Sequence, residues 1–376
     1  MELKHRLIPP VLCLLLLLGG CGNYRELNEF DIVAGMAIDQ SREGYKVTLE
    51  LINLEGSLQE GVKSYPVSLE GATVPQALEQ AKSKLSRQFH YGNMEVIVLS
   101  HQVAEQGIAS LLDGFLRDVN IRETIQLAIS LGETAEEILA AKGQDLLVAS
   151  YALSKMIAHA NDTQLQPRDV SIYNALDALQ TPGKSLILPA VKAEPTTQED
   201  TCIQLEGLAV FRQDSLSYTL PEAYIPFYLF GAGRLGSHDL AFELPGGEKK
   251  STIHITQSKT KRSFWQEAEH VVFQLDIRAK GQLDQAAAGS DLRDPSVKSA
   301  LEQAAAQALC DRMLELLDYQ RQKGDTNVAD WEHDIYMKDG SLWEAIESKS
   351  EEARPGVSME VNVTVEILDS GIVRGV

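Results

Sequence analysis

The residue whose type and setting point most directly to chemistry is Cys21. Its thiol follows Leu18-Gly19-Gly20, at the end of the apolar run Val11 to Leu18. Lys4 and Arg6 form a short basic segment ahead of that run, and the glycines are the small residues a signal peptidase needs. Residues 1–20 therefore read as a secretory signal cut before Cys21. The run is too short to span a bilayer, which takes ~20 apolar residues.

Other reactive groups are sparse. Cys13 leaves with the signal, so Cys202 and Cys310 are the remaining thiols. In an oxidising compartment they are either joined in a disulfide or are two small apolar side chains far apart. A bridge would close a loop of more than a hundred residues and stabilise by ~4–5 kcal/mol in the chain-entropy model. Cys310 lies among alanines in a predicted helix, which suits the second alternative. Gly231-Ala-Gly-Arg-Leu-Gly236 matches GxGxxG. A dinucleotide site needs a strand before that motif and a helix after it; a short strand ended by proline follows here, so a flexible loop is expected. His90, His101, His159, His238, His254, His270 and His333 are scattered, with no HExxH and no cysteine at ligand spacing, so no metal is expected. No GxSxG supplies a serine nucleophile. Glu136 and Glu137 are adjacent carboxylates of the kind that usually line a solvated helix face. The aromatic run Tyr224 to Phe230 is either core or a docking surface for a partner.

The whole chain carries a formal charge of −20. Such an acidic surface excludes nucleic acid as a partner, because phosphate binding needs a basic face. It also disfavours adsorption to anionic lipid headgroups. Any membrane attachment must come through Cys21. No cofactor is expected.

These groups must be positioned by elements that the apolar pattern makes legible. After a polar tether over 22–30, alternation at Ile32, Ala34, Met36 and Ile38, a Ser-Arg-Glu-Gly turn, and alternation from Tyr45 to Leu51 predict a hairpin. Helices are predicted from Pro75 onward, over 108–117, 135–141, 146–160 and 170–179, with strands at 94–99, 125–131 and 185–191. Thr134-Ala-Glu-Glu137 reads as a capping box. A break at 194–200 precedes a second predicted hairpin, 205–211 with 216–220, then a helix or turn over 221–230 and strands at 239–244, 251–257 and 270–283. Asp294 as N-cap, Pro295 at the first helical position and Gly324 as a stop bound a long amphipathic helix. A short helix over 341–349 and a half-buried strand over 359–367 close the chain. The fold class is α+β, in three mixed domains after the signal: 21–195, a small middle domain at 200–250, and 251–376, the last a sheet packed by the long helix.

The segment around Cys21 resembles the lipobox of bacterial lipoproteins, which implies diacylglycerol on the sulfur and palmitate-class acyl chains. Two or three such chains hold a protein durably, one only marginally, at ~0.8 kcal/mol per buried CH₂. Cys21-Gly-Asn-Tyr-Arg-Glu-Leu-Asn-Glu-Phe-Asp-Ile-Val-Ala-Gly-Met-Ala-Ile-Asp39 then resembles the opening of the Ger(x)C spore germination lipoproteins, with its Gly-x-x-Ile-Asp strand. Tyr91-Gly-Asn-Met-Glu-Val-Ile-Val-Leu99, Phe115-Leu-Arg-Asp118, Glu206-Gly-Leu-Ala-Val-Phe211 and Val361-x-Val-x-Val-x-Ile367 before Gly371 continue the likeness. One stretch departs: Asp325 to Asp330 lacks the family's usual glycines, and the spacing of Trp331 and Trp343 is irregular. The resemblance implies a three-domain, non-enzymatic C subunit of a nutrient germinant receptor. It would be lipid-anchored on the outer leaflet of the inner spore membrane beside the A and B membrane subunits. The alternative is a lipid-anchored solute-binding protein, which requires two α/β lobes and a polar cleft. A cell-wall enzyme is a third possibility, for which the sequence has neither GxSxG nor HExxH.

Overall fold

A computed structural model describes residues 30–53, 63–84, 88–143, 147–162, 170–196, 200–244, 250–267, 270–285, 292–324, 327, 330–347 and 356–368. The first half runs β1 (Phe30–Ser41), β2 (Gly44–Asn53), β3 (Lys63–Gly71), α1 (Val74–Lys84), β4 (Gln88–His90), β5 (Val96–Ser100), α2 (His101–Glu105), α3 (Ala109–Arg117) and β6 (Gln126–Ser130). It continues with α4 (Glu136–Leu139), α5 (Ala149–Asp162), α6 (Ile172–Gln180), β7 (Ile187–Pro195), β8 (Thr201–Arg212) and β9 (Ser215–Pro221). The second half is α7 (Ile225–Ala232), β10 (His238–Glu243), β11 (Lys250–Glu267), β12 (His270–Gln285), α8 (Pro295–Gln322), α9 (Trp331–Lys338), α10 (Gly340–Glu347) and β13 (Gly356–Ile367).

Nine strands form the first sheet, in the order β3-β2-β1-β5-β6-β7-β8-β9 with β4 beside β1. Its centre is parallel, where helices cross between β5, β6 and β7; its flanks are the antiparallel hairpins β1–β2–β3 and β7–β8–β9. The β1–β2 hairpin turns where the sequence predicts. The alternation in β1 understates its burial: Val33, which the bulge brings onto the face of Met36 and Ile38, and Ala37, on the opposite face, are buried too, because helices cover a central strand on both sides. For the same reason Val96 to Ser100 is buried without a break.

Four strands form the second sheet, in the order β10-β11-β12-β13. β13 runs parallel to β12, since three helices carry the chain back to the same end. α8 is the predicted long helix. The Asp294 carboxylate accepts from the Ser296 N–H at 2.8 Å, and Gly324 turns to φ +73° at its end. Leu301, Ala305, Leu309, Met313 and Leu316 recur every three or four residues and are buried against β13 and β10. α9 was not visible as a helix. Its Trp331 is buried and sits 6.0 Å from Phe273, ring centre to ring centre.

The segment 200–250 is divided between the two sheets. β8 and β9 extend the first, and β10 pairs with β11 in the second. Alternation in β8 makes it a wall shared by two cores: Ala209 and Phe211 pack with the first sheet's helices, Leu208 and Val210 with α8 and the second sheet. The capping box at Thr134 forms in one direction only. Thr134 Oγ1 accepts from the Glu137 N–H at 3.3 Å, while Glu137 Oε1 is buried without a hydrogen-bond partner.

Candidate functional site

Cys21, the one site residue expected from the sequence, lies outside the described residues, as do the signal and the tether up to Asn28-Glu29. The described chain starts at Phe30, in the strand that leads from it. The geometry of that strand gives the Gly-x-x-Ile-Asp motif a physical role. Gly35 follows a bulge in the β1–β2 ladder, and a Cβ there would come within 1.9 Å of Ser150 Oγ. Glycine is thus what lets the start of α5 close onto β1. Opposite it on β2, fully buried Glu50 accepts from the Ala149 and Ser150 N–H groups, both at 2.8 Å, from Ser64 Oγ at 2.6 Å, and from Ser150 Oγ.

Asp39, which closes the motif, does the same for α4. Its carboxylate accepts from the Ala135 N–H at 2.5 Å and the Glu136 N–H at 3.0 Å. Burial pushes its pKa up, against the pull of those two donors. Glu136 turns outward to Lys46 and to Ser68 Oγ; burial works against its charge, but those two partners prevail and hold its carboxyl below the usual range. Two carboxylates on the opening hairpin therefore satisfy the orphan N–H groups of two helices about a hundred residues away in sequence.

A second polar constellation joins the halves. The loop Thr181 to Ser185 docks on Asn327 and residues 330–333: Asn327 Nδ2 donates to Gly183 O at 2.9 Å and Ser185 Oγ at 3.0 Å, and the Ser185 N–H donates to Asp330 Oδ1 at 3.0 Å. Burial raises the Asp330 pKa despite nearby Arg234 and Arg262. Gly183 has φ +73°, and a Cβ would lie 2.5 Å from the Glu332 carbonyl carbon. Tyr319 Oη donates to Thr219 O at 2.9 Å, and Gln320 Nε2 donates to Tyr218 Oη at 2.9 Å. β8, β9 and these contacts span the junction between the two sheets.

Among the described residues, one group of potential metal ligands converges: Asp239 on β10, His254 on β11 and Asp284 on β12, with ligand atoms within 4.8 Å of one another. His254 Nδ1 and Asp239 Oδ1 are 2.5 Å apart, and that hydrogen bond holds the imidazole pKa above its usual value. Sequence reading could not bring these residues together, because they come from three strands. Asp239 and His254 are direct cross-strand neighbours in a register that only the folded ladder sets.

The remaining sequence candidates resolve into structure. Ile225, Phe227, Tyr228, Leu229 and Phe230 are buried in the second core, so the aromatic run is packing and Tyr228 does not offer a docking face. The GxGxxG match spans the end of α7 and the loop that follows it to β10. Gly233 takes φ +67°, its N–H donates to Phe230 O at 3.0 Å, and the Arg234 N–H reaches back to Leu229 O at 2.9 Å, a glycine C-cap. Cys202 and Cys310 are free, one on the first sheet and the other on α8.

Two family models match in order along the chain. The one described as the spore germination protein N-terminal domain covers residues 23–193, and the one described as spore germination B3/GerAC like, C-terminal, covers residues 206–371. Spore germination protein KC of Bacillus subtilis (strain 168) is 23% identical, with 95% of this chain and 93% of that one aligned. GerQC of Bacillus cereus, a spore germination protein, is 23% identical over 75% of this chain and 77% of its own. The crystal structure of the GerBC protein superposes with a TM-score of 0.59 at 17% identity, covering 89% of this chain and 97% of that one, which shows a shared fold. No helix among the described residues is long and apolar enough to cross a membrane.

Proposed function

The chain belongs to the GerAC-like family of spore germination proteins, and from that premise we propose that it is the C subunit of a nutrient germinant receptor. It acts without catalysis, by contact with the receptor's A and B membrane subunits. It is held by lipid on Cys21 at the outer leaflet of the spore's inner membrane. The observation that carries this reading is the ordered match of both family domains across nearly the whole chain after the signal.

Lipid on Cys21 is the attachment consistent with an acidic chain whose described helices do not span a bilayer. The seam between the halves fits a subunit that passes a signal through rigid contacts, since Gly183, Asp330 and Tyr319 leave little room for the two sheets to slide. Deleting the gene and challenging spores with single nutrients tests the role. Loss of the response to one nutrient class, restored by the wild-type gene, is the expected result. A normal response to every nutrient, in a strain with no second receptor of this type, would remove the assignment. Cys21→Ala should leave the fold intact and release the protein from membranes; equal retention would remove the anchor.

A further inference from the structure

The end of the first sheet nearest Phe30 differs from its other end. β1 starts there. Asn53 ends β2 and Lys63 begins β3 at that level, β4 lies beside Phe30 to Ile32, and β5 and β6 start toward the same end, opposite Gly35. Four of the eight large apolar side chains exposed among the described residues come from segments at this end: Tyr65 is 43% exposed, Val119 96%, Leu147 55% and Tyr173 55%.

The hydrogen bonds fix each of them. Tyr65 pairs with Leu51, itself opposite Val33 near the start of β1. Ser64 Oγ donates to Leu147 O at 3.3 Å. Val119 sits in the turn between α3 and β6, where Arg122 Nη2 donates to Met94 O at 2.8 Å, just ahead of β5. The Tyr173 N–H donates to Glu123 O at 3.1 Å in the same layer. Charges between them are of both signs, with Lys63 and Arg122 against Asp118 and Glu123. At the opposite end, beyond Tyr45 and Gly71, the strands close around an open polar groove lined by Glu43, Lys46, Ser68, Glu70 and Gln76.

We infer that the rim carrying Tyr65, Val119, Leu147 and Tyr173 rests in the headgroup layer of the bilayer that holds Cys21. This rests on the reading that Cys21 carries lipid. Eight residues separate Cys21 from Phe30, so even a fully extended tether holds the start of β1 within about 30 Å of the acyl chains. A rim kept that close, with isolated Val and Leu side chains and two tyrosines, matches the interface, where amphipathic tyrosine rings sit at headgroup level and apolar side chains reach inward. The mixed charges leave the attraction apolar, in keeping with the acidic chain. The first sheet then stands on end, its polar groove pointing away from the membrane.

Site-specific fluorescence on the lipidated full-length chain tests this. In a Cys202→Ser, Cys310→Ser background, a bimane label is placed by Val119→Cys, Leu147→Cys or, as a control at the far end, Glu43→Cys. The protein is anchored in phosphatidylglycerol–phosphatidylethanolamine vesicles free of other proteins. Anchoring should cut iodide quenching at 119 and 147 by about threefold or more and open both labels to a lipid-borne nitroxide, as for side chains at an interface. The label at 43 should change in neither respect. Labels at 119 and 147 as open to iodide as the one at 43, on protein that still floats with the vesicles, would overturn the inference and leave the rim free for a protein partner. Protein that no longer floats would take away the anchor reading and this inference together.

Discussion

Two helices of the first half start differently from two of the second. In the first half α4 and α5 are capped from a distance: Asp39 and Glu50, on the opening hairpin, reach N–H groups nearly a hundred residues further along. In the second half α8 and α10 cap themselves, through Asp294 to Ser296 and Asp339 to Leu342. A self-capped helix carries its start signal wherever it goes. A helix capped by another element's carboxylate is complete only when that element is in place. α4 and α5 therefore rest on non-local agreement with β1 and β2, whereas α8 and α10 carry local instructions, as do α2 and α6, which their own Ser100 and Ser171 cap.

The contrast is broken most severely at Glu50. Glu50→Ala leaves two buried N–H groups and the Ser150 hydroxyl without their acceptor, and should cost about 3–5 kcal/mol in urea unfolding. An effect below about 1 kcal/mol would show that α5 does not depend on the hairpin. Gly183→Ala comes next, since its Cβ must displace backbone at Glu332 and His333. We expect a loss of about 2 kcal/mol and faster amide exchange in residues 330–335 before the rest of either half.

Asp294→Ala should cost only about 1 kcal/mol, the worth of one exposed N-cap. A loss as large as that at Glu50 would erase the distinction between helices capped locally and those capped from the hairpin. The smallest effect is at His254. Its pKa is raised by Asp239, so this pair contributes stability below the unfolded value of about 6.5, lost as pH rises through the higher folded value. An NMR titration should place His254 above 6.5, and Asp239→Asn should bring it back down.

The same contrast marks what could be read in advance. The β1–β2 and β8–β9 hairpins and α8 were legible, because alternation, a turn sequence, an N-cap and an amphipathic stripe are all local signals. The short α2 and α9 were not: Trp331 is held by Phe273 on β12, a contact that no local period announces. Gly35 and Asp39 stood out only as parts of a recurring pattern. Their work, closing a helix start onto a strand and capping another, depends on Ser150 and Ala135 far along the chain. Glu50 gave no signal at all, since a glutamate in an apolar strand reads as a solvent-facing residue until two helix N–H groups are found on it. The aromatic run of α7 was ambiguous in sequence, and burial decided it as core.

By itself the sequence determined the α+β class, the long C-terminal helix and the family pattern, and it set the expectation of an export signal and a lipidated thiol. Each of these is written in residues close together along the chain. Only the tertiary structure decided which partners distant side chains meet. It brought Glu50 and Asp39 to the helix starts, made β8 a wall between two cores, set Asp239 beside His254, and gathered Tyr65, Val119, Leu147 and Tyr173 at the end where the chain departs toward Cys21. The physical reason is that hydrogen bonding and burial act through space, and a strand's neighbours are set by register and topology, which local periodicity does not encode.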